Sequence, residues 1–540
     1  MSTAHWQARR LRIPAAWPVR SSPAVHPWAI ISAGLAPVLL TGGYLVADAL
    51  QPASYSLKHR GSRDRPPDPP RTRLRHTQAE FPVRPNARHR YSERKEGRMP
   101  ALVALLVYWF RVLRRPMDVR LKRRHVGGSA VLILGAGMIV LWVQERPMTL
   151  PGRYEWGELA GVMAVYLFTW SLLLATRARW LEPWFGGLDR MYLWHRRAAI
   201  AGTLLVLPHF TVTAAAPGRP ANTAGLALGV ISLLGIIGLV VISLPRAARI
   251  LRLSYYRWKF LHRLMGLFVA ASVVHGLVLD QVIASSLVLR VVFLIVGTAG
   301  FLCYLYEELL MRRLLPKADY TVTSVTRPAE DIVELRLTPS GPGITPQPGQ
   351  FVFLHVGTAG AWHEHPFSVA GTGPGRQLRL SVRAGGRETR TLSAELTPGL
   401  PATVSGPYGM FDFTLGGRAQ VWIAGGIGVV PFLSWLQALT SEDRHSVELF
   451  YIVPAEADAV YLPELLAQSD RLPSVRLHPV FTRTHGHLTG ADVNAALQAP
   501  ITDVHTFICG PVPMVEDISR YLRRRGVPRD YIHAEHFAFR

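Results

Sequence analysis

Six apolar runs behind Met99, at 128–144, 157–176, 194–216, 223–243, 257–279 and 286–306, constrain this chain more than any other feature. A helix rises about 1.5 Å per residue, so roughly 20 residues cross a hydrocarbon core of about 30 Å. Each run reaches or approaches that length; 128–144 is the shortest. Beyond about residue 316 no run does so, and short alternating stretches broken by Gly and Pro take over. Of the 540 residues, 49% are apolar and 18% charged, where a soluble chain carries about 25% charged residues. The 60 Lys and Arg against 36 Asp and Glu give a net charge of +24. A nucleic-acid binder can be that basic but is rarely this apolar. Two cysteines, Cys303 and Cys509, exclude a disulfide scaffold, an all-cysteine zinc site and a cysteine-ligated iron–sulfur cluster. A membrane protein with soluble parts remains.

The connections orient the runs. Arg177, Arg179, Arg190, Arg196 and Arg197 lie between or at the facing ends of the second and third; Arg246, Arg249, Arg252, Arg257 and Lys259 do the same for the fourth and fifth. Arg312, Arg313 and Lys317 follow the sixth, whereas 145–156, 217–222 and 280–285 carry few positive charges. The positive-inside bias therefore puts the start of the first helix and everything after the sixth in the cytoplasm, as in a multi-pass plasma-membrane protein. The basic residues fall where topology needs them, so the charge calls for no nucleic acid. Residues 1–98 fit less well. The run 28–50 could be a seventh span, 51–98 reads as a disordered Arg/Pro-rich linker, and a native start at Met99 is an alternative. The segment 99–127, with Arg111, Arg114, Arg115, Lys122, Arg123 and Arg124, reads as a basic amphipathic surface helix.

Ionisable side chains inside spans are costly and point to function. The third run carries His195 and His209, and the fifth His262 and His275. Separations of 14 and 13 residues are about four helical turns, so each pair lies on one helix face with a vertical gap of about 20 Å. Both helices run outward, which sets His195 opposite His262 near the cytoplasmic side and His209 opposite His275 near the outer side. Two facing imidazoles are what a six-coordinate haem iron needs. With no CxxCH, each haem would be b-type and non-covalent. The plainer alternative is packing: a membrane histidine is as often a hydrogen-bonding residue as a ligand, and His195 and His262 lie near the interface. Matched spacings on two parallel helices favour two stacked haems.

From Ala318 the alternating stretches 319–325, 331–337, 350–356 and 377–383 predict a small antiparallel barrel. Within it stands HPFS, His365, Pro366, Phe367 and Ser368. A flavin needs an apolar wall and a small hydroxyl near its N5, which Phe367 and Ser368 can supply. Gly386, Thr389 and Arg390 form a turn and helix start suited to a pyrophosphate. VWIAGGIGVVPF, residues 421–432, reads as strand, glycine turn and helix, with Gly425, Gly426 and Gly428 allowing close backbone approach and Pro431 opening the helix. It is not GxGxxG, and such a turn is often only a tight connection. FICGPVPMV, residues 507–515, repeats that layout and sets Cys509, Gly510 and Pro511 at a strand's C-terminal end, where open α/β sheets bind ligands. Cys509 could equally be a plain buried cysteine. Phe537 and Phe539 near the chain end suit either a core or a lid over a flavin ring.

In this order the motifs resemble the ferric reductase and NADPH oxidase superfamily over residues 128–540, and HPFS at 365–368, GPYG at 406–409, GGIGVVP at 425–431 and CGP at 509–511 resemble ferredoxin–NADP reductase. The resemblance implies a six-helix membrane bundle over 128–316, an FAD-binding barrel over 317–416 and an NAD(P)-binding α/β domain over 417–540. It implies electron flow from NAD(P)H to FAD, to an inner and an outer haem, and to an acceptor outside. His365, Phe367, Ser368 and Thr389 then match flavin contacts, while Gly425, Gly426, Gly428, Cys509 and Gly510 match the nicotinamide nucleotide site. Phe537 would stack where nicotinamide must displace it, and Phe268 matches an aromatic between the haems. Glu456 would suit NADH, but Thr482–Arg483 resemble a pair that grips the 2′-phosphate of NADPH, so NADPH is expected. Oxygen-reducing members often carry a histidine one turn beyond the outer ligand; here that position is Thr213. With short outer loops, this suits a ferric chelate as acceptor more than O2 and superoxide formation, or a quinone or protein relay. No segment suggests control by calcium or cytosolic subunits.

Overall fold

The computed structural model describes residues 125–147, 152–214, 222–310, 317–357 and 364–535. The expectations for 1–98, for most of 99–127, for Phe537 and Phe539, and for most of loop 217–222 lie outside those residues. By contacts the chain divides into two units, of which one, among the described residues, is Val240–Trp258 and the other comprises the rest. The small unit holds a helix, Pro245–Ile250. Within it the Trp258 indole Nε1–H donates to Ser243 Oγ at 3.0 Å.

The large unit begins with α1 (Val126–Glu145), α2 (Gly152–Ala175), the single turn α3 (Glu182–Phe185) and α4 (Leu188–Thr213). Along the chain follow α5 (Thr223–Ser243) and α6 (Tyr255–Arg263), which belong to the large unit up to Leu239 and from Lys259, then α7 (Met265–Leu279), α8 (Gln281–Ser285) and α9 (Leu287–Leu305). Among the described residues, five helical stretches are long and apolar enough to cross a membrane: α1, α2, α5, residues 257–279 and residues 287–310. The third expected span, α4, has 26 residues, about 39 Å of helix. Asp189, Arg190, Arg196 and Arg197 in its first half lower its apolarity. The fifth expected span is two helices, not one, because Leu264 interrupts it: its N–H bonds to Leu261 three residues back, a tighter turn than an α-helix allows. Outward residues such as Ile133, Leu134, Ile231, Leu234, Leu287 and Ile295 are apolar and exposed, the composition that lipid tolerates and water does not.

Six strands follow: β1 (Lys317–Ala329), β2 (Ile332–Pro339), β3 (Phe351–Val356), β4 (His365–Gly373), β5 (Gln377–Arg383) and β6 (Pro401–Tyr408). They close in the order β1-β2-β5-β4-β3-β6 with β6 returning to β1, every pair antiparallel. Closure removes both sheet edges. Val322, Leu335, Leu337, Val352, Leu380 and Val404 fill the interior, none more than 1% exposed. Between β5 and β6 runs α10 (Arg387–Glu395).

The last region carries β7 (Ala419–Gly425), α11 (Val430–Ala438), β8 (Ser446–Val453), α12 (Leu462–Arg471), β9 (Val475–Phe481), β10 (His505–Cys509), α13 (Val512–Arg524) and β11 (Ile532–Glu535). Its sheet is parallel, ordered β11-β10-β7-β8-β9. The chain builds outward from β7 through β8 to β9, then crosses back to set β10 on the other side. The gap between the C-terminal ends of β7 and β10 is thus a topological switch point, where such sheets bind ligands.

Candidate functional site

Helical periodicity sets His195 and His209 on one face of α4, with His262 on α6 and His275 on α7 opposite. The His195 and His262 ring centroids stand 6.1 Å apart, and those of His209 and His275 6.0 Å. The rings are nearly perpendicular, at 72° and 88°. Two metal–nitrogen bonds of about 2 Å plus the half-width of each ring give a centroid gap of roughly 6 Å, so a metal fits between each pair. The second nitrogens are engaged. His195 Nδ1 meets the Ser171 carbonyl at 2.8 Å, His209 Nδ1 that of Gly157 at 3.0 Å, and His275 Nδ1 that of Gly225 at 2.8 Å. A carbonyl only accepts, so each Nδ1 carries the proton, which leaves Nε2 as the nitrogen that could ligate a metal.

Room for the outer pair of imidazole rings comes from glycine. A Cβ on Gly161 would stand 2.6 Å from His209 Nδ1, and one on Gly229 2.5 Å from the His275 ring. The Phe268 ring, on α7 between the two levels, packs against Gly235. These seats were not read from the sequence, where glycine in an apolar helix looks like packing; the register Gly225–Gly229, one turn apart, was the available signal.

In the barrel, HPFS lies on β4, paired with Phe351–Leu354 of β3. Phe367 and Ser368 are buried and His365 is half-buried. The Ser368 hydroxyl is buried without a hydrogen-bond partner, a costly state that a ligand acceptor or donor would relieve. At the start of α10, the Gly386 N–H donates to Thr389 Oγ1 at 3.0 Å, and the exposed Arg390 reaches back to the Gly386 carbonyl at 3.4 Å. Open N–H groups at that helix start and a cation beside them suit a phosphate.

Gly425, Gly426 and Gly428 follow β7, Pro431 opens α11, and Cys509, Gly510 and Pro511 follow β10, so the two motifs meet at the switch point. Gly428 packs directly on the Cys509 carbonyl and Gly510, and a Cβ on Gly425 would stand 2.7 Å from Pro511. The Cys509 thiol is fully buried, and burial with the neighbouring Glu535 carboxyl pushes its pKa well up. It is therefore no nucleophile. Glu535 pairs with Cys509 across β10 and β11. Its own pKa is raised by burial and by Asp189 and Glu182, and its Oε2 has no partner. Nothing in IHAEHFAFR singled it out beforehand. Arg483 is exposed beyond β9, and its backbone N–H donates to the Pro454 carbonyl at 2.9 Å, setting it near the end of β8 and Glu456.

Two contact sets tie these regions together. Arg379 on β5 bonds both Glu464 oxygens on α12, at 2.7 and 2.8 Å, and Glu334 at 2.6 Å; beside it the Tyr461 hydroxyl donates to Ser381 Oγ at 2.8 Å. This clamp fixes the barrel to the nucleotide sheet. Phe185, Leu188 and Met191 share one buried core with Phe351, Phe353 and Tyr408, which fixes the barrel to the membrane helices. Arg177 stacks over Phe353 at 4.8 Å and pairs with Glu364 at 3.5 Å.

A bundle of long apolar helices, a closed six-stranded barrel and a parallel α/β sheet in one chain are the parts expected of a membrane-bound NAD(P)H-dependent oxidoreductase. Comparison with known proteins makes this specific. Residues 160–273 match the family described as ferric reductase like transmembrane component, 317–412 an FAD-binding domain, and 422–520 an oxidoreductase NAD-binding domain. That is the domain order of a ferric reductase/NADPH oxidase-like fusion. Among curated relatives, the propane 2-monooxygenase reductase component of Mycolicibacterium smegmatis is 28% identical over 232 residues, 40% of this chain and 66% of its own. The flavohemoprotein of Bordetella pertussis is 30% identical over 243 residues, 40% of this chain and 60% of its own. The chain thus spans somewhat under two thirds of the length of these relatives. Among solved structures, flavohemoglobin from Malassezia yamatoensis, with bound FAD and heme, is 16% identical at a TM-score of 0.42, covering 70% of this chain and 94% of that one. The ferredoxin reductase in carbazole 1,9a-dioxygenase is 24% identical at 0.36, covering 41% and 70%.

Proposed function

We propose that the chain carries electrons from cytoplasmic NADPH across the plasma membrane, through FAD and two b-type haems, to a ferric chelate on the outer side. The observation that carries this reading is the pair of imidazole gaps, 6.1 and 6.0 Å, one level above the other in a membrane bundle. When bound, flavin divides a hydride into single electrons and haem iron carries them one at a time.

The chain's own groups do the rest. His195 and His262 would hold the inner haem and His209 and His275 the outer, with His195, His209 and His275 oriented by the backbone carbonyls on their Nδ1. Phe367 and Ser368 would face the flavin ring, with Gly386, Thr389 and Arg390 at its phosphates. The β7 and β10 turns would hold the nicotinamide nucleotide, with Arg483 on a 2′-phosphate. No side chain needs to act as acid or base on the nicotinamide; the fold supplies distance and exclusion of water.

One observation favours a chelate over oxygen. Thr213, one turn beyond His209, is buried and its hydroxyl donates back to the His209 carbonyl at 2.6 Å. It thus presents no proton donor to a small gas at the outer site.

Anaerobic absorption spectra of the FAD-loaded protein in detergent test the whole reading. NADPH should produce a reduced b-type spectrum at two haems per chain, and ferric citrate should reverse it. Absence of haem would overturn the proposal. Reoxidation by oxygen but not by the chelate would replace the acceptor.

A further inference from the structure

Glu182 was not singled out by the sequence, yet it occupies the junction of the two halves. It is the first residue of α3 and only 6% exposed. Its carboxylate Oε1 accepts from the Leu188 N–H at 3.2 Å and from the Gly409 N–H at 2.7 Å. Leu188 opens α4, so its N–H has no partner within the helix. Gly409 ends the GPYG turn just beyond β6, 227 residues further along. The Glu182 backbone carbonyl also accepts from Gly186 and Gly187 at 3.0 and 3.1 Å, closing the turn that leads into α4. One residue thus joins the helix carrying His195, seven residues or about 10 Å up from Leu188, to the flavin barrel.

We propose that Glu182 is a positioning residue for electron transfer between the flavin barrel and the inner histidine pair, fixing the barrel to α4 through a single carboxylate oxygen. The inference rests on the barrel holding flavin and His195 holding haem, as read above. Apolar packing of Phe185, Leu188, Phe351 and Tyr408 supplies adhesion there, but packing alone permits sliding. The two hydrogen bonds set the register. Asp189 on α4, Arg179 after α2, Tyr408 on β6 and Glu535 on β11 are the ionisable groups that face the carboxyl.

Three variants test this in the full-length protein: Glu182→Ala, Glu182→Asp and Glu182→Gln. The first readout is backbone hydrogen exchange in peptides covering 186–190 and 405–412, which needs neither flavin nor haem. Loss of the acceptor in Ala, and of reach in Asp, should speed exchange at Leu188 and Gly409 roughly tenfold, while Gln, which keeps an acceptor oxygen, stays near the parent. The second readout is stopped-flow reduction. Flavin reduction by NADPH should be unchanged, and haem reduction should slow roughly ten- to a hundredfold in Ala and Asp only. Unchanged exchange in Ala and Asp would overturn the inference, as would Gln failing like Ala. A parent protein without haem would instead overturn the proposed function, and exchange would still decide the role of Glu182. Should Ala not fold, Asp against Gln carries the same contrast.

Discussion

The membrane bundle and the nucleotide sheet build their sites in opposite ways. In the bundle, all four histidines sit on three helices, and the alignment of His195 with His209 follows from periodicity along α4. In the sheet, Gly428 and Cys509 are brought together from strands that are distant in the chain but neighbours in the sheet. The first kind of site is robust to loop changes and vulnerable to single side chains in its walls. The second depends on strand order, with glycine wherever backbone meets backbone. A bundle site should therefore fail in units of one cofactor, and a strand-end site should fail by degrees.

The largest effect expected follows from the bundle. His209→Leu or His275→Leu should lower haem content from two per chain to one, by pyridine haemochrome assay, with His195 and His262 still loaded. Gly229→Leu should act similarly without replacing a ligand, because its side chain must enter the space of the His275 ring. Retention of both haems in these variants would break the comparison.

A smaller, graded effect is expected in the barrel. Ser368→Ala removes a buried hydroxyl that has no partner, so the flavin-free protein should gain about 1 kcal/mol of stability in a denaturant titration. The same change should weaken FAD binding by roughly tenfold, read by equilibrium dialysis. Equal loss of stability and affinity would mean that Ser368 is satisfied within the protein and plays no part toward flavin.

The smallest effect concerns pH at the junction. Burial, reinforced by Asp189 and opposed by the Gly409 and Leu188 N–H groups and by Arg179, pushes the Glu182 carboxyl up to about 7 from an ordinary 4.5. A carboxyl raised in the docked state favours docking when protonated. Its contribution is fully present below about 4.5 and lost as pH rises through about 7. Exchange at Gly409, corrected for its intrinsic rate, should therefore become a few-fold less protected from pH 6 to 8. Glu182→Gln, which does not titrate, should show no such slope.

Much of this architecture was legible. Run lengths marked the helices, alternation marked the barrel, and each glycine motif fell at a strand end as its residue types required. The break at Leu264 was not legible, because leucine continues a helix as readily as any residue and its departure is a matter of local hydrogen bonding. Nor did the charges in the first half of α4 reveal how much they lower its apolarity. Ser171, Gly157 and Gly225 escaped notice because they act through backbone or through contacts with other helices. Arg379 and Glu464 belong to no local motif, and only their bidentate meeting across two domains distinguishes them.

By itself the sequence determined what is set by near neighbours along the chain: span length, the shared face of His195 and His209, strand and turn punctuation, and the order of motifs. Those depend on the fixed periods of helix and strand, which act over a few residues. Tertiary structure alone decided which imidazole faces which at 6 Å, that Ser368 is left unpaired, and that Glu182 meets Gly409. Such meetings join groups many residues apart. Their geometry comes from packing of whole elements, on which no local period bears.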